Sequence, residues 1–278
     1  MICVRVGDGL GNQLFNYAFG YALAKKNNTK LILDISSFDD AGSREYKLDE
    51  FSITFIEKKN WHNSPKAARV YKEICKRVFW SVHYEKKPYV YTPPEVTKYR
   101  NNYYKGWWQS DLYFKEYKEE IIQEFTPKQA RPTIREIINV ASDYTIVSVH
   151  IRRGDYIRIN GCIDLSYYAK AIDWIKRRFE KVVFCFFSDD IPFCREHFKS
   201  SDGNYIFIEN EKLIDIDEFC IMSTCDHNII ANSSFSWWAA YLNRNNNKCV
   251  IAPKVMCWDK DFYPVDWVKI DTQLVREN

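Results

Sequence analysis

Three short polar clusters sit where apolar runs end. SVHI closes on Arg152-Arg153-Gly154-Asp155, VVFCFF on Ser188-Asp189-Asp190, and NIIA on Asn232-Ser233-Ser234-Phe235-Ser236. Two adjacent arginines stay charged at any working pH and can hold a diphosphate through paired N–H donors. Hydroxyls and free backbone N–H groups at the opening of a helix form a seat for an anion. Neighbouring aspartates accept hydrogen bonds, and the N1–H and N2–H₂ edge of guanine is a donor-rich match. The three clusters together describe a pocket for a guanosine diphosphate group built without metal. Each also has a plainer reading. Arg-Arg-Gly-Asp fits a surface salt bridge, and Ser-Asp-Asp and Asn-Ser-Ser fit helix caps. Their joint occurrence after three successive apolar runs is what favours a ligand site.

Other residues invite weaker readings. Gly7-Asp8-Gly9-Leu10-Gly11-Asn12-Gln13 departs from the dinucleotide fingerprint by lacking its last glycine. Asp34 nonetheless closes the second strand at about the expected distance, which leaves a nicotinamide-cofactor reading open. Asp215-Ile-Asp217 and Asp259-Lys-Asp261 have the D-x-D spacing that can hold a metal diphosphate, but the first reads as a helix cap. His150 adjoins a strand end, where a structural hydrogen bond and a site role are both open. Trp107, Trp108, Trp237 and Trp238 offer stacking faces for sugars, with core packing as the alternative, favoured for the second pair.

The elements that position these residues alternate. ICVRV, a glycine loop, an apolar-periodic helix from about residue 13 to 27 and LILDI make a strand–helix–strand unit. From 36 to 130 the pattern is poorer; ARVYKEICKRVFWSVHYEKK suggests helix, and residues 101–114 a strand entering a loop. The two prolines of EFTPKQARPTIREII mark a boundary near 127–140. Beyond it TIVSVHI, KVVFCFF, NYIFIE, HNIIAN and KCVIAP read as strands separated by helices, which implies a mostly parallel sheet with helices on both faces. In such sheets ligands collect at the carboxyl ends of the strands, where the three clusters lie.

At 278 residues the chain can build one large or two modest cores. A formal charge of +3 is too small to argue for nucleic acid. The nine cysteines are scattered without a C-x-x-C pair, so neither a zinc site nor a redox motif is indicated. Reduced thiols and the lack of a leader or a long apolar span point to a cytoplasmic protein. The basic, aromatic stretch from Ala67 to Lys87 allows at most peripheral membrane contact, with a solvated helix face as the plainer reading.

GDGLGNQLFNYAFGYALA, GWWQSDLYF, SVHIRRGDY, FFSDDIPFC and CDHNIIANSSFSWWAAYLN followed by VIAPKVMCW run in order from residue 7 to about 258. In these the chain resembles the bacterial α-1,2-fucosyltransferases of glycosyltransferase family 11. It departs at Asp8 and Ala239, where glycine is usual. The resemblance implies a GT-B architecture, α/β with two Rossmann-like domains whose mostly parallel sheets face a central cleft. The domains would be 1–135 on the acceptor side and 136–278 binding the donor. It implies GDP-β-L-fucose as donor, inversion, no metal or other cofactor, and a galactose-terminated acceptor, lipid-linked or free. Arg152 would then sit on the diphosphate beside Arg153. Ser188, Asp189 and Asp190 would read guanine, and Asn232 to Ser236 would seat the phosphates. Gly9, Gly11 and Asn12 would approach the donor sugar, and Trp107, Trp108 and Gln109 would form acceptor surface. Asp155 is a candidate base, with pinning of Arg152 as the alternative; Asp8, His150 and Asn12 are rivals. Other readings are a fucosyltransferase of different linkage (α-1,6 or O-fucosyl) or a sugar-binding protein without activity.

Overall fold

The computed structural model describes residues 1–39, 44–54, 57–59, 79–98, 100–199, 203–209, 213–255 and 260–275. The fold separates into two compact units, Met1–Gln129 with Lys260–Pro264, and Ala130–Asp259 with Val265–Asn278.

The first unit begins with β1 (Ile2–Arg5), α1 (Leu10–Lys26) and β2 (Leu31–Asp34), followed by β3 (Glu57–Lys59), β4 (Trp80–Tyr84), β5 (Asn101–Lys105) and α2 (Lys118–Glu124). The strands form one parallel sheet in the order β3-β2-β1-β5-β4. Helix α1 is apolar nearly all round and buried accordingly, the pattern of a helix enclosed by its surroundings rather than lying on a surface. It approaches the sheet at Gly20, where a Cβ would lie 2.7 Å from Leu31 Cδ1 and 2.9 Å from Val4 Cγ2. Residues 80–84 were expected to continue a helix and instead pair with β5 from Trp80↔Asn101 to Tyr84↔Lys105. The local helical composition yields there to the unpaired edge of β5; the rest of that basic stretch, residues 67–78, lies outside the described residues.

The second unit contains α3 (Ile134–Ile137), β6 (Thr145–Ile151), α4 (Gly154–Arg158), β7 (Cys162–Ile163), α5 (Leu165–Lys176), β8 (Val182–Ser188), α6 (Ile191–His197), β9 (Tyr205–Phe207), α7 (Asp215–Ser223), β10 (His227–Ile229), α8 (Ser234–Leu242), β11 (Val250–Lys254), β12 (Val268–Asp271) and β13 (Leu274–Val275). Six strands form a parallel sheet ordered β12-β11-β10-β6-β8-β9. Read from the other edge this is the 3-2-1-4-5-6 order of dinucleotide-binding sheets, with β6 first and β10 fourth. Val147, Val149, Phe184, Phe186, Ile229 and Ile251 from its central strands pack on Tyr167, Tyr168, Ala171 and Ile175 of α5. Burial on both faces explains why TIVSVHI and VVFCFF are continuous apolar runs rather than alternating ones. Strands β7 and β13 pair antiparallel in a separate short ribbon. Trp237 and Trp238 are fully buried, Trp237 stacking on Tyr241 at 4.7 Å, so their role is packing.

Candidate active site

In a sheet of this order the crevice opens where strand order reverses, between β6 and β10, outside their carboxyl ends. Arg152 and Arg153 follow β6 directly, and Asn232 to Ser236 follow β10 into α8. Strand β8 lies on the other side of β6 and delivers Ser188, Asp189 and Asp190. The three clusters therefore meet at one end of the second unit.

Arg152 is strung between two carboxylates: its Nη2 donates to Asp155 Oδ1 at 2.6 Å and its Nη1 pairs with Asp189 Oδ2 at 2.8 Å. Arg153 donates from Nε to Asp190 Oδ2 at 2.9 Å, and its guanidinium lies 3.4 Å from the centroid of the Phe193 ring. The Arg153 backbone N–H donates to Asp189 Oδ1 at 2.9 Å, and the Phe193 N–H to Asp190 Oδ1 at 3.1 Å. All four oxygens of the aspartate pair thus accept from protein groups, where the sequence suggested acceptors for guanine. Burial opposes ionisation of Asp190, yet Arg153 and the Phe193 N–H hold its carboxyl below the usual range. Gly154 makes this clasp possible, because a Cβ there would lie 2.6 Å from Asp189 Oδ2. A cavity of about 280 Å³ has both arginines in its wall, beside Ile151 and Phe193.

His150 is 5% exposed, and its Nδ1 has no hydrogen-bond partner among the described residues. Burial first, then the Arg152 charge, push its pKa down to about 3, so the imidazole is neutral at working pH. Its ring rests against Phe235 at 5.8 Å. Asn232 donates from Nδ2 to the Gly161 carbonyl at 3.0 Å while its buried Oδ1 has no partner among the described residues. Ser233 caps α8, accepting from the Phe235 N–H at 3.3 Å. Ser236 is fully buried and donates to the Ser233 carbonyl, so it faces inward rather than to a ligand. The Tyr156 hydroxyl donates to the Asn232 carbonyl at 3.2 Å, tying α4 to the loop before α8.

Glu218, on α7, is a residue the sequence did not single out. Burial and then the charges of Asp215, Asp189 and Asp217 push its pKa up to about 7. No hydrogen-bond donor among the described residues reaches its carboxyl, whereas Asp217 is taken by Arg131 at 3.0 Å and by the Ile214 N–H. The Asp215-x-Asp217 pair therefore belongs to the start of α7, and Asp259 of the second D-x-D lies outside the described residues. Among the described residues no group of three or more His, Cys, Asp or Glu side chains is placed to hold a metal.

The first unit carries a parallel arrangement. Its strand order reverses between β1 and β5, whose following loops hold Gly7–Gly9 and Gly106–Gln109. Amides on α1 brace both. Gln13 Nε2 donates to the Asp8 carbonyl at 2.9 Å, and Asn16 Nδ2 to the Gly106 carbonyl at 2.9 Å. Asn12 Oδ1 accepts from Gln109 Nε2 at 2.6 Å. Glu85 accepts from the backbone N–H groups of Trp107 and Trp108 at 2.8 and 3.1 Å; burial raises its pKa against those bonds. Gly9 caps α1, and Gly11 is buried in its first turn. Trp107 is 43% exposed, but Trp108, expected beside it as acceptor surface, is 4% exposed and stacked on Phe19 at 4.1 Å. It has no face left for a sugar. Asp34, which a nicotinamide cofactor would need, is 3% exposed and takes hydrogen bonds from the Tyr103 hydroxyl and from Ser36. That carboxylate is a core group.

The glycosyl transferase family 11 model matches residues 1–271. The chain belongs to this family. It is 33% identical to an Escherichia coli α-1,2-colitosyltransferase over 98% of this chain and 99% of that one. It is 28% identical to gorilla galactoside α-(1,2)-fucosyltransferase 2 over 84% of this chain and 66% of the relative. Among solved structures, the E. coli ADP-heptose lipopolysaccharide heptosyltransferase II matches with a TM-score of 0.50 over 97% of this chain and 89% of its own, at 9% identity. That likeness concerns the fold alone, which is of GT-B type with parallel α/β sheets. In this family 11 chain no described helix is long and apolar enough to cross a membrane. Among the described residues the cysteines form no disulfide, and burial pushes the Cys194 and Cys220 thiols up to about 11, away from nucleophilic use.

Proposed function

We propose that this family 11 glycosyltransferase moves L-fucose from GDP-β-L-fucose to the 2-hydroxyl of a terminal β-galactoside, with inversion and without a divalent ion. The names of the two relatives share the α-1,2 linkage and differ in the sugar moved. The observation that carries the reading is the clasp of Arg152 by Asp155 and Asp189 at the reversal of strand order. The acceptor hydroxyl oxygen attacks the anomeric carbon and gives up its proton to solvent, the bond from that carbon to the β-phosphate oxygen breaks, and its electron pair leaves with GDP. Negative charge gathers on the β-phosphate as this happens. A guanidinium already oriented by two carboxylates stabilises that charge without reorganising. Asp155 then works as a positioning residue rather than a base, and a His150 that protonates only near pH 3 is a poor base for the acceptor proton. The Ser233-capped start of α8 adds backbone donors for the phosphates. Guanine's N–H donors find their acceptor in Glu218, whose carboxyl takes no hydrogen bond from the described residues, while Asp189 and Asp190 serve the arginines.

The test is transfer from GDP-fucose, with chelator present, to lactose, lacto-N-biose and N-acetyllactosamine, with the linkage of the product read by NMR. An α-1,2-fucosyl product supports the reading. No transfer, or a product of other linkage, ends it. The 33% identity to a colitosyltransferase supports a second donor, one that carries colitose in place of fucose. Competition between the two donors at equal concentration decides which kcat/KM is larger.

A further inference from the structure

The loop after β1 contains a residue out of keeping with its backbone. Asp8 has φ 64, the left-handed region where glycine is favoured and where the resemblance leads one to expect it. Its side chain does not fold back to relieve the conformation. It reaches the loop after β5, where Asp8 Oδ2 accepts from the exposed Trp107 indole Nε1–H at 3.0 Å. Asp8 Oδ1 accepts from none of the described residues, and Asp8 forms no ion pair with them. Gln13 and Lys47 fix the turn from below: Gln13 also donates to the Glu45 carbonyl at 2.8 Å and accepts from the Lys47 N–H at 2.8 Å. Asn12, one turn into α1, uses its Oδ1 on Gln109 and its Nδ2 on none of the described residues.

We propose that Asp8 and Trp107 form a subsite for the acceptor sugar, and that Asp8 determines which acceptor this chain takes. The proposal rests on the glycosyltransferase reading above and adds its acceptor side. A pyranose presents hydroxyl donors along its edge and C–H groups on its face. A carboxylate with a free oxygen takes the first, and an exposed indole takes the second. The charge at this loop selects the ligand class. An uncompensated Asp8, with Glu85 beneath the Trp107 turn, repels a diphosphate and tolerates a neutral polyol. The indole N–H also holds the Asp8 carboxylate in place, so little side-chain freedom is lost when a hydroxyl binds.

The experiment is ligand-detected NMR on the full chain with lactose, methyl β-galactoside and N-acetyllactosamine, alongside calorimetric titration with GDP. Asp8→Gly suits its backbone, so the variant keeps the melting temperature of the parent or exceeds it. Loss of a charge-assisted hydrogen bond weakens the bound galactoside by about tenfold or more. Trp107→Ala weakens the same ligand, and both variants bind GDP as the parent does. Asp8→Asn, which tolerates the left-handed turn and keeps an acceptor for the indole, falls between. Galactoside binding within twofold of the parent in both Asp8→Gly and Trp107→Ala overturns the subsite, as does failure of every galactoside to bind the parent. A parent that binds galactosides at this loop yet neither binds GDP nor transfers fucose leaves the subsite standing and removes the donor reading instead.

Discussion

Arg152 and Glu218 show how one neighbourhood sets opposite demands on charge. Arg152 is held in its plane by one carboxylate on each terminal nitrogen, a geometry that a lysine ammonium cannot reproduce. Arg152→Lys keeps the charge and loses the fork, so it should lower kcat/KM for donor by roughly 10²–10³, nearly as much as Arg152→Ala, in steady-state transfer assays. A lysine variant within threefold of the parent would mean that charge alone suffices. Glu218 faces the reverse situation, with burial and three acidic neighbours raising its pKa from 4.5 to about 7. Folded, it holds its proton more tightly than the unfolded chain does. As pH rises from about 4.5 the unfolded chain ionises first, so this residue's contribution to stability falls until the folded pKa near 7 is passed. Glu218→Gln should therefore melt higher than the parent at pH 8, with the difference gone at pH 4.5. Donors from guanine favour the charged carboxyl, so GDP affinity of the parent should drop below pH 7 by up to about tenfold per unit, and the variant should lose that dependence. Calorimetry from the unfolded pKa of 4.5 up to pH 8 reads both.

Elements place these residues through two close approaches that only glycine permits. A Cβ on Gly20 would drive α1 off Leu31 and Val4, so Gly20→Ala should destabilise the chain by about 1–3 kcal/mol in denaturant unfolding. Gly154→Ala meets the Asp189 carboxylate instead, which can turn away at the expense of its Arg152 pair. It should melt within a degree or two of the parent while donor kcat/KM falls by tenfold or more. Equal activity would show that the Asp189 contact is dispensable. The strands that end in these clusters were legible because burial on both faces writes a continuous apolar run. Strand β4 was not, since an edge strand with an exposed face takes its conformation from the partner it pairs with. Helix α4 and the β7–β13 ribbon were equally silent, being too short for any period to register. At the site, the arginines and the α8 cap could be read from residue type and position. Their aspartate partners were visible as residues, but the task each performs depends on which acceptor is already taken, and only the fold shows that. Glu218 left no signal because a carboxylate at the third position after Asp215 looks like helix-start chemistry.

At the scale of the molecule the chain is two parallel sheets, each with a reversal of strand order and each dressing that reversal with different chemistry. The second carries guanidinium groups, a capped helix start and the half-buried carboxyl of Glu218. The first carries carboxylates, amides and an exposed indole. That the sheets would be parallel followed from the alternation of strands and helices, whereas the positions of the reversals depend on pairings between segments far apart in sequence. This division predicts where GDP acts. Binding to the folded chain alone stabilises it by RT ln(1 + [L]/Kd), about 2.7 kcal/mol at a hundredfold excess over Kd. Hydrogen exchange followed by mass spectrometry should then show slowed exchange at residues 152–156, 188–194 and 232–236, with residues 7–12 and 106–110 unchanged. If, as proposed, Arg152 and Arg153 supply the counter-charge, the protection should be the same in chelator as in millimolar magnesium. Protection that required magnesium, or that fell on the loops of the first unit, would transfer the diphosphate away from the arginines and with it the reason for their paired aspartates.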